Sequence, residues 1–276
     1  MLVDKEIETM PYVDFISLLD ETNRCPGGKH TIRKILQNSF ANAQSRVLEI
    51  GSNTGFSSLE VARTVGCRVL GIDPSASAVE QAGKVLLADT AEIREKVEFK
   101  VGSAYDIPSP DNNFDLIIAG GATSFMKEKD KAVSEYHRVL KPWGFLSVAN
   151  FYYKSPPPED VISAVSNIIG AKIEPWDKNK WKSILSMNQV FETYWEEDGE
   201  VCTRTDSEIS TYVDYFLQKP HLAILPTSKK DAIKDRWYRT LKIFNENLKY
   251  VGYQLILYRK AHIAEEPELF PYKEKS

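Results

Sequence analysis

The sequence predicts an α/β fold: a doubly wound, mostly parallel sheet with a helical amino-terminal cap and a helical insertion ahead of its last strand. Three observations carry this. Strand-like apolar runs alternate with helical stripes to form five units between residues 46 and 151, the pattern of βα units in a parallel sheet. A glycine turn closes the first of those runs. An acidic residue closes the second, and ligands of open α/β sheets bind beyond the carboxyl ends of strands.

Ahead of the first strand, Tyr12, Phe15, Ile16 and Leu19 recur at helical spacing. A PGG loop follows at residues 26–28, and Ile32, Ile35, Leu36 and Phe40 make a second helical stripe. Residues 1–45 thus read as a pair of short helices able to close over a site at the sheet edge. In RVLEIGSNTGF, residues 46–56, Val47, Leu48 and Ile50 form the apolar run of a central strand covered on both faces. Glu49 interrupts it, and a charge at the end of a buried strand is costly unless a ligand or a donor meets it. Gly51 and Gly55 permit a tight turn and close backbone approach, and residues 56–64 read as the helix behind the turn.

CRVLGIDPSAS supplies a second strand at 68–72, then Asp73 and Pro74, with Ser75 or Ser77 as helix cap. Val97, Phe99 and Val101 alternate as a third strand that runs into GSAYDIPSPDNNFD. FDLIIAGGA is a fully apolar fourth strand. Residues 126–140 form an amphipathic helix with Ala132, Tyr136, Val139 and Leu140 on one face, and a KPWG turn at 141–144 leads to a fifth strand at 145–151. The α/β core therefore spans 46–154. The prolines at 156–158 mark a boundary, and residues 155–249 read as an insertion with helices over Glu159–Ile169, Asp206–Leu217 and 229–248. A closing strand at 253–258, within 250–262, rejoins the sheet, and 263–276 form a polar tail.

The 276 residues are 42% hydrophobic and 27% charged, ordinary for a globular chain. No apolar run approaches the ~20 residues that span a bilayer, and MLVDKEIETM lacks the apolar centre of a signal peptide; a cytoplasmic protein away from the membrane is expected. A net charge of −4 provides no basic field for nucleic acid. Cys25, Cys67 and Cys202 are odd in number and lack CxxC spacing, which fits reduced thiols and offers no zinc or other metal site.

The turn itself narrows the ligand. A dinucleotide fingerprint needs a second glycine so that the backbone can touch the pyrophosphate; here that position is Asn53, and no GxxxxGK[ST] loop is present. A carboxylate ahead of the turn repels phosphate and suits an ammonium or sulfonium. Asp73 is placed to accept hydrogen bonds from both ribose hydroxyls, with a plain helix-cap role as the alternative. Together these residues call for a nucleoside-like, phosphate-free, positively charged cofactor.

The motifs EIGSNTG, GID, GSAYDIP, FDLIIA and RVLKPWG, in that order over residues 46–148, resemble those of class I S-adenosylmethionine-dependent methyltransferases. The resemblance implies a Rossmann-like seven-stranded sheet and S-adenosyl-L-methionine as cofactor. It places Glu49, Gly51, Ser52, Asn53 and Gly55 at the amino-acid end, Asp73 on the ribose, and Pro74 beside the adenine. Ser103 and Ala104 lie along the adenine edge, and Ala119 and Gly120 under the sulfonium. Three positions depart from the family's pattern. Asn53 replaces a glycine, though asparagine tolerates left-handed backbone angles; Ser103 replaces an acidic residue; and Trp143 replaces a glycine of the KPGG turn.

Methyl transfer is an in-line displacement in which positioning supplies much of the rate, and a base is needed only for an acceptor that starts protonated. His30, beside the PGG loop, and Tyr12, on the cap helix, are the candidate catalytic residues. Thr123 and Ser124 follow the fourth strand, in the acceptor region or as helix-cap residues. His137 reads as a surface residue, while His221 and His262 fall in a loop and near the tail. Trp176, Trp181, Phe191, Tyr194, Trp195, Tyr212, Tyr215 and Phe216 either wall a pocket for an aromatic, prenyl-like or quaternary-amine acceptor or pack a core between helices. The basic residues at 229–242 read first as a solvated face and second as a dock for an anionic partner. The expected function is methyl transfer to a small molecule. Alternatives are an aminopropyl-type transferase on the same fold, a non-catalytic S-adenosylmethionine-binding partner protein, and a nicotinamide oxidoreductase, which the missing second glycine opposes.

Overall fold

The computed structural model describes residues 5–22, 24–186, 191–260 and 269–270; His262 and most of the 263–276 tail lie outside them. Three helices come first, α1 (Lys5–Thr9), α2 (Tyr12–Leu18) and α3 (Lys29–Asn38). The alternating core follows: β1 (Arg46–Ile50), α4 (Phe56–Val65), β2 (Arg68–Asp73), α5 (Ala76–Leu87), α6 (Ala91–Arg94), β3 (Val97–Val101) and β4 (Phe114–Ile118). After a 3₁₀ turn at Ala122–Phe125 come α7 (Lys129–Val139), β5 (Leu140–Tyr153), α8 (Glu159–Ile169), α9 (Lys178–Leu185) and β6 (Phe191–Gly199). The described chain then runs through α10 (Asp206–Leu217), α11 (Pro220–Ala223), α12 (Thr227–Leu248) and β7 (Val251–Lys260).

The seven strands form one sheet in the order β3-β2-β1-β4-β5-β7-β6. Its first five members run parallel, and β7 is antiparallel to both β5 and β6. The order reverses between β1 and β4, so a crevice opens beyond their carboxyl ends, where such sheets place ligands. Val47 and Leu48 of β1 are fully buried on opposite faces. On one face, Leu48, Ile117, Leu146 and Val148 pack with Tyr136 of α7 and Leu185 of α9. On the other, Val47, Leu116 and Leu255 pack with Ile32 and Ile35 of α3 and Leu59 of α4. Burying each such side chain contributes about 1.5–3 kcal/mol.

Three features differ from the sequence expectation, the first being a third amino-terminal helix, α1, ahead of the pair read there. The stretch read as a helical insertion contributes the seventh strand, β6. Its sequence, FETYWEEDG, hides it, because an edge strand keeps exposed charges that discourage pairing with another chain; Phe191 is its buried residue. The KPWG segment lies within β5, where Trp143 adopts a φ of 65° and the register with β4 shifts between Phe114 and Leu116.

Helices α1, α2, α10, α11 and α12 form a separate layer. Ile7, Phe15, Ile16 and Leu19 of the amino-terminal segment pack on Ile209, Val213 and Phe216 of α10 and on Ile233 and Trp237 of α12. The same segment reaches the other side of the sheet crevice: Ser77 donates to Asp14 at 3.4 Å and Gln81 to Asp20 at 3.2 Å, tying α2 and the loop after it to α5.

Candidate functional site

The glycine turn is shaped by its backbone angles. Gly51, Asn53 and Gly55 have φ of 72°, 45° and 88°, so asparagine does occupy the left-handed region at the position where a glycine was missing. The N–H groups of Gly51 and Ser52 donate to the Ile72 carbonyl, at 2.9 and 3.0 Å, which pins the turn to the end of β2. A Cβ on Gly51 would lie 2.6 Å from the Cβ of Ala122, and one on Gly55 2.5 Å from the Phe99 ring. Both glycines are therefore required by close approach as well as by φ. Ser52, Thr54 and Gly55 are buried. Among the described residues, Ser52 Oγ, Asn53 Oδ1 and Thr54 Oγ1 have no hydrogen-bond partner.

Asp73 closes β2 beside this turn and is 8% exposed. One of its oxygens accepts from the Asn53 N–H and the other from the Ser75 N–H, each at 2.9 Å. The carboxylate thus holds turn and helix start together while keeping acceptor capacity on each oxygen. Ser75 caps α5 through its own side chain, so the helix-cap alternative for Asp73 is only part of its role.

Glu49 meets a donor at once. Its Oε2 accepts from both the backbone N–H, at 2.9 Å, and the hydroxyl of Ser58, in the first turn of α4. The carboxylate therefore occupies the anion position that a helix N-terminus offers. Burial pushes its pKa up to about 7 against the opposing pull of the serine hydrogen bonds. In the PGG loop ahead of α3, the Cys25 thiol is pushed up to about 11 by burial first and by Glu49 second, so it stays protonated and is no nucleophile.

The other sites read from the sequence are placed as follows. Ser103 is half-buried and its hydroxyl accepts from the Tyr105 N–H at 3.1 Å. Ala104 is 9% exposed and packs in the core with Ile50 and Ile72. Pro74 is exposed. Ala119 is fully buried, and Gly120, at a φ of 43°, faces open space where a Cβ would stand. Thr123 is fully buried and its hydroxyl lies 3.3 Å from the Tyr136 hydroxyl; Ser124 is half-buried.

His30 stands exposed on the first turn of α3. Tyr12 lies edge-on to Phe244, its ring centroid 5.7 Å away. It borders a cavity of about 410 Å³ shared with Met10, Ile168, Arg236 and Thr240. Burial, then Glu21, raises the Tyr12 phenol well above its ordinary value. His137 is half-buried against Phe191, not a surface residue, with its centroid 5.8 Å from that ring.

Most of the aromatics serve packing. Trp181 and Phe191 are buried in the sheet core, and Phe216 is buried in the helical layer with Tyr212 against it. Tyr215, by contrast, is 62% exposed. The basic residues of α12 face solvent, as read from the sequence, but several are paired there. Lys229 pairs with Glu6, Lys234 with Asp214, Arg239 with Glu8 and Asp235, and Lys242 with Asp206. Arg236 donates to the carbonyls of Ile7 and Met10. Sequence reading overlooked Gly71 and Phe99. A Cβ on Gly71 would strike Phe99 at 2.7 Å and Ser52 at 2.8 Å, a close approach that a glycine inside a strand signals.

Comparison with known proteins places this geometry among relatives. Residues 48–148 match the family model described as a methyltransferase domain. An uncharacterized protein of Haemophilus influenzae is 27% identical over 235 residues, covering 84% of this chain and 91% of that one. YcgJ of Bacillus subtilis, described as an uncharacterized methyltransferase, is 27% identical over 158 residues, 56% of this chain. The match spans 61% of YcgJ's own length. The crystal structure of MccD protein superposes with a TM-score of 0.74 at 26% identity, covering 86% of this chain and 99% of that one.

Proposed function

We infer that this chain, whose residues 48–148 match a methyltransferase domain, is a class I S-adenosylmethionine-dependent methyltransferase, that its acceptor is a small molecule and that the turn at 49–55, with Asp73, holds the cofactor. The observation that carries the cofactor assignment is Glu49 seated on the N-terminus of α4. A phosphate would have to displace a carboxylate there, whereas an ammonium or sulfonium is drawn to it. Ser52, Asn53 and Thr54 fit the same ligand, since their unpartnered polar atoms match hydrogen-bonding groups of an amino-acid and nucleoside ligand. Asp73 takes the ribose hydroxyls, Pro74, Ser103 and Ala104 flank the base, and the open side of Gly120 leaves room beneath the sulfonium.

S-adenosyl-L-methionine supplies a methyl group already activated for displacement; the protein aligns the acceptor with it and excludes water. Tyr12, with its phenol raised by burial, keeps its proton near neutral pH and orients the acceptor as a donor. Removing an acceptor proton is assigned to His30, on the first turn of α3 beside the PGG loop. The small-molecule reading rests on the acidic chain, net charge −4, and on α12's cations being engaged within the fold. No described helix is long and apolar enough to cross a membrane, and the free cysteines support a cytoplasmic setting. Calorimetric titration with S-adenosylmethionine, S-adenosylhomocysteine and NAD tests the assignment. The first two should bind and NAD should not; binding of NAD alone would overturn it.

A further inference from the structure

Asn150, near the carboxyl end of β5, is 4% exposed, and neither its amide oxygen nor its amide nitrogen has a hydrogen-bond partner among the described residues. A buried amide left this way is unfavourable unless a ligand or an ordered water completes it. Its position is beside the site. Ala122, whose Cβ would clash with a Cβ on Gly51 at 2.6 Å, follows Gly121, whose Cβ would lie 3.9 Å from the carbonyl oxygen of Ala149. A line of contacts thus runs from the cofactor turn to the residue preceding Asn150. Strand alternation puts Asn150 on the side of Val148 and Tyr152, the side where Ala122, Met126 and Trp176 also pack.

The rings around that rim are already matched with cations. The Lys178 ammonium lies 4.7 Å from the Tyr152 ring and pairs with Asp198. The Lys129 ammonium lies 4.7 Å from the Trp176 ring and 3.8 Å from Glu174. A cationic acceptor finds these rings already facing ammonium groups, and an anionic one finds Lys178 and Lys129 paired, with Lys180, 5.4 Å from the Trp176 ring, exposed to solvent. The quaternary-amine acceptor considered from the aromatic content is therefore disfavoured. We propose that Asn150 recognises the methyl acceptor, and that this acceptor is uncharged and offers a hydroxyl or carboxamide to the Asn150 amide. The inference rests on the methyltransferase reading above and concerns binding alone; no bond is made or broken at Asn150.

The test uses the full chain with S-adenosylmethionine. Neutral alcohols, phenols and carboxamides are set against carboxylates, phosphates and primary amines, with release of S-adenosylhomocysteine as readout. Turnover should appear in the neutral arm. Asn150→Leu should lower kcat/KM there about 10–100-fold, chiefly through KM, and Asn150→Ser should recover part of the loss. Both variants should bind S-adenosylmethionine within about twofold of the parent. The melting temperature of ligand-free Asn150→Leu should stay level or rise, because an apolar group of similar shape removes an unpaired amide. Turnover confined to charged compounds, no turnover in any arm despite cofactor binding, unchanged kcat/KM in Asn150→Leu, or a melting temperature lowered by several degrees would each overturn the proposal. Failure of the parent to bind S-adenosylmethionine would instead strike the reading beneath it.

Discussion

The glycine turn and the helical layer solve opposite problems with polar groups. Around α12, most polar groups meet partners within the fold, the buried Trp237 indole N–H being an exception: Arg236 reaches two carbonyls of the amino-terminal segment, and Tyr212 donates to Glu21 at 2.6 Å. Ser52 and Thr54 in the turn are as buried as many core residues and Asn53 is half-buried, yet three of their side-chain polar atoms are unmatched. The layer spends its hydrogen bonds on holding α1 and α2 in place, whereas the turn withholds some of its own. Unmatched groups on a turn whose positive φ angles favour glycine mark a surface that a ligand or ordered water completes. Substitutions in the two regions should therefore separate stability from cofactor affinity.

The largest effect is expected at Gly51→Val. Its backbone angle alone costs about 1–3 kcal/mol for a non-glycine residue, and the new Cβ meets Ala122. Calorimetry should show S-adenosylmethionine binding lost while circular dichroism retains the helical signal. Retained binding would mean that the turn is not the site.

Glu49→Gln should reveal the buried acid. Its folded pKa is about 7, above the unfolded value, so its contribution to stability is complete below the unfolded value and is lost as pH rises through about 7. The amide variant should gain stability over the parent between pH 5 and 8, by up to about 3 kcal/mol for a shift of this size. Cofactor affinity should rise with pH in the parent, because a cation favours the carboxylate, and stay flat in the variant. Parallel pH profiles would remove Glu49 from the cofactor's cationic end.

Asp73→Asn should weaken cofactor binding by about 1–3 kcal/mol through lost charged hydrogen bonds, read as a change in Kd. In the helical layer, Arg236→Ala should lower stability by about 1 kcal/mol as two carbonyls lose their donor, with Kd unchanged. A change in cofactor Kd there would blur the division between the regions. Lys242→Ala breaks an exposed pair with Asp206 and should leave the melting temperature where it was.

Much of the α/β core was legible because its signals are local. Apolar alternation, positive-φ glycines and caps depend on neighbours a few residues away, and Asn53 took the left-handed angle its chemistry allows. Strand β6 was not legible: an edge strand has one pairing partner, and its charged, exposed residues erase the alternation that reveals an inner strand. Nor was the employment of α12's cations, since their partners Glu6, Glu8, Asp206 and Asp214 lie far away in the chain or on another helix. The chain order alone determined the doubly wound core, its turn and the cationic, nucleoside-like character of the ligand. Tertiary structure decided that Glu49 sits on a helix N-terminus, that Gly71 yields to Phe99 and Ser52, and that Asn150 is buried without a partner. Each of those depends on which residues distant elements bring together, and local sequence carries no record of that.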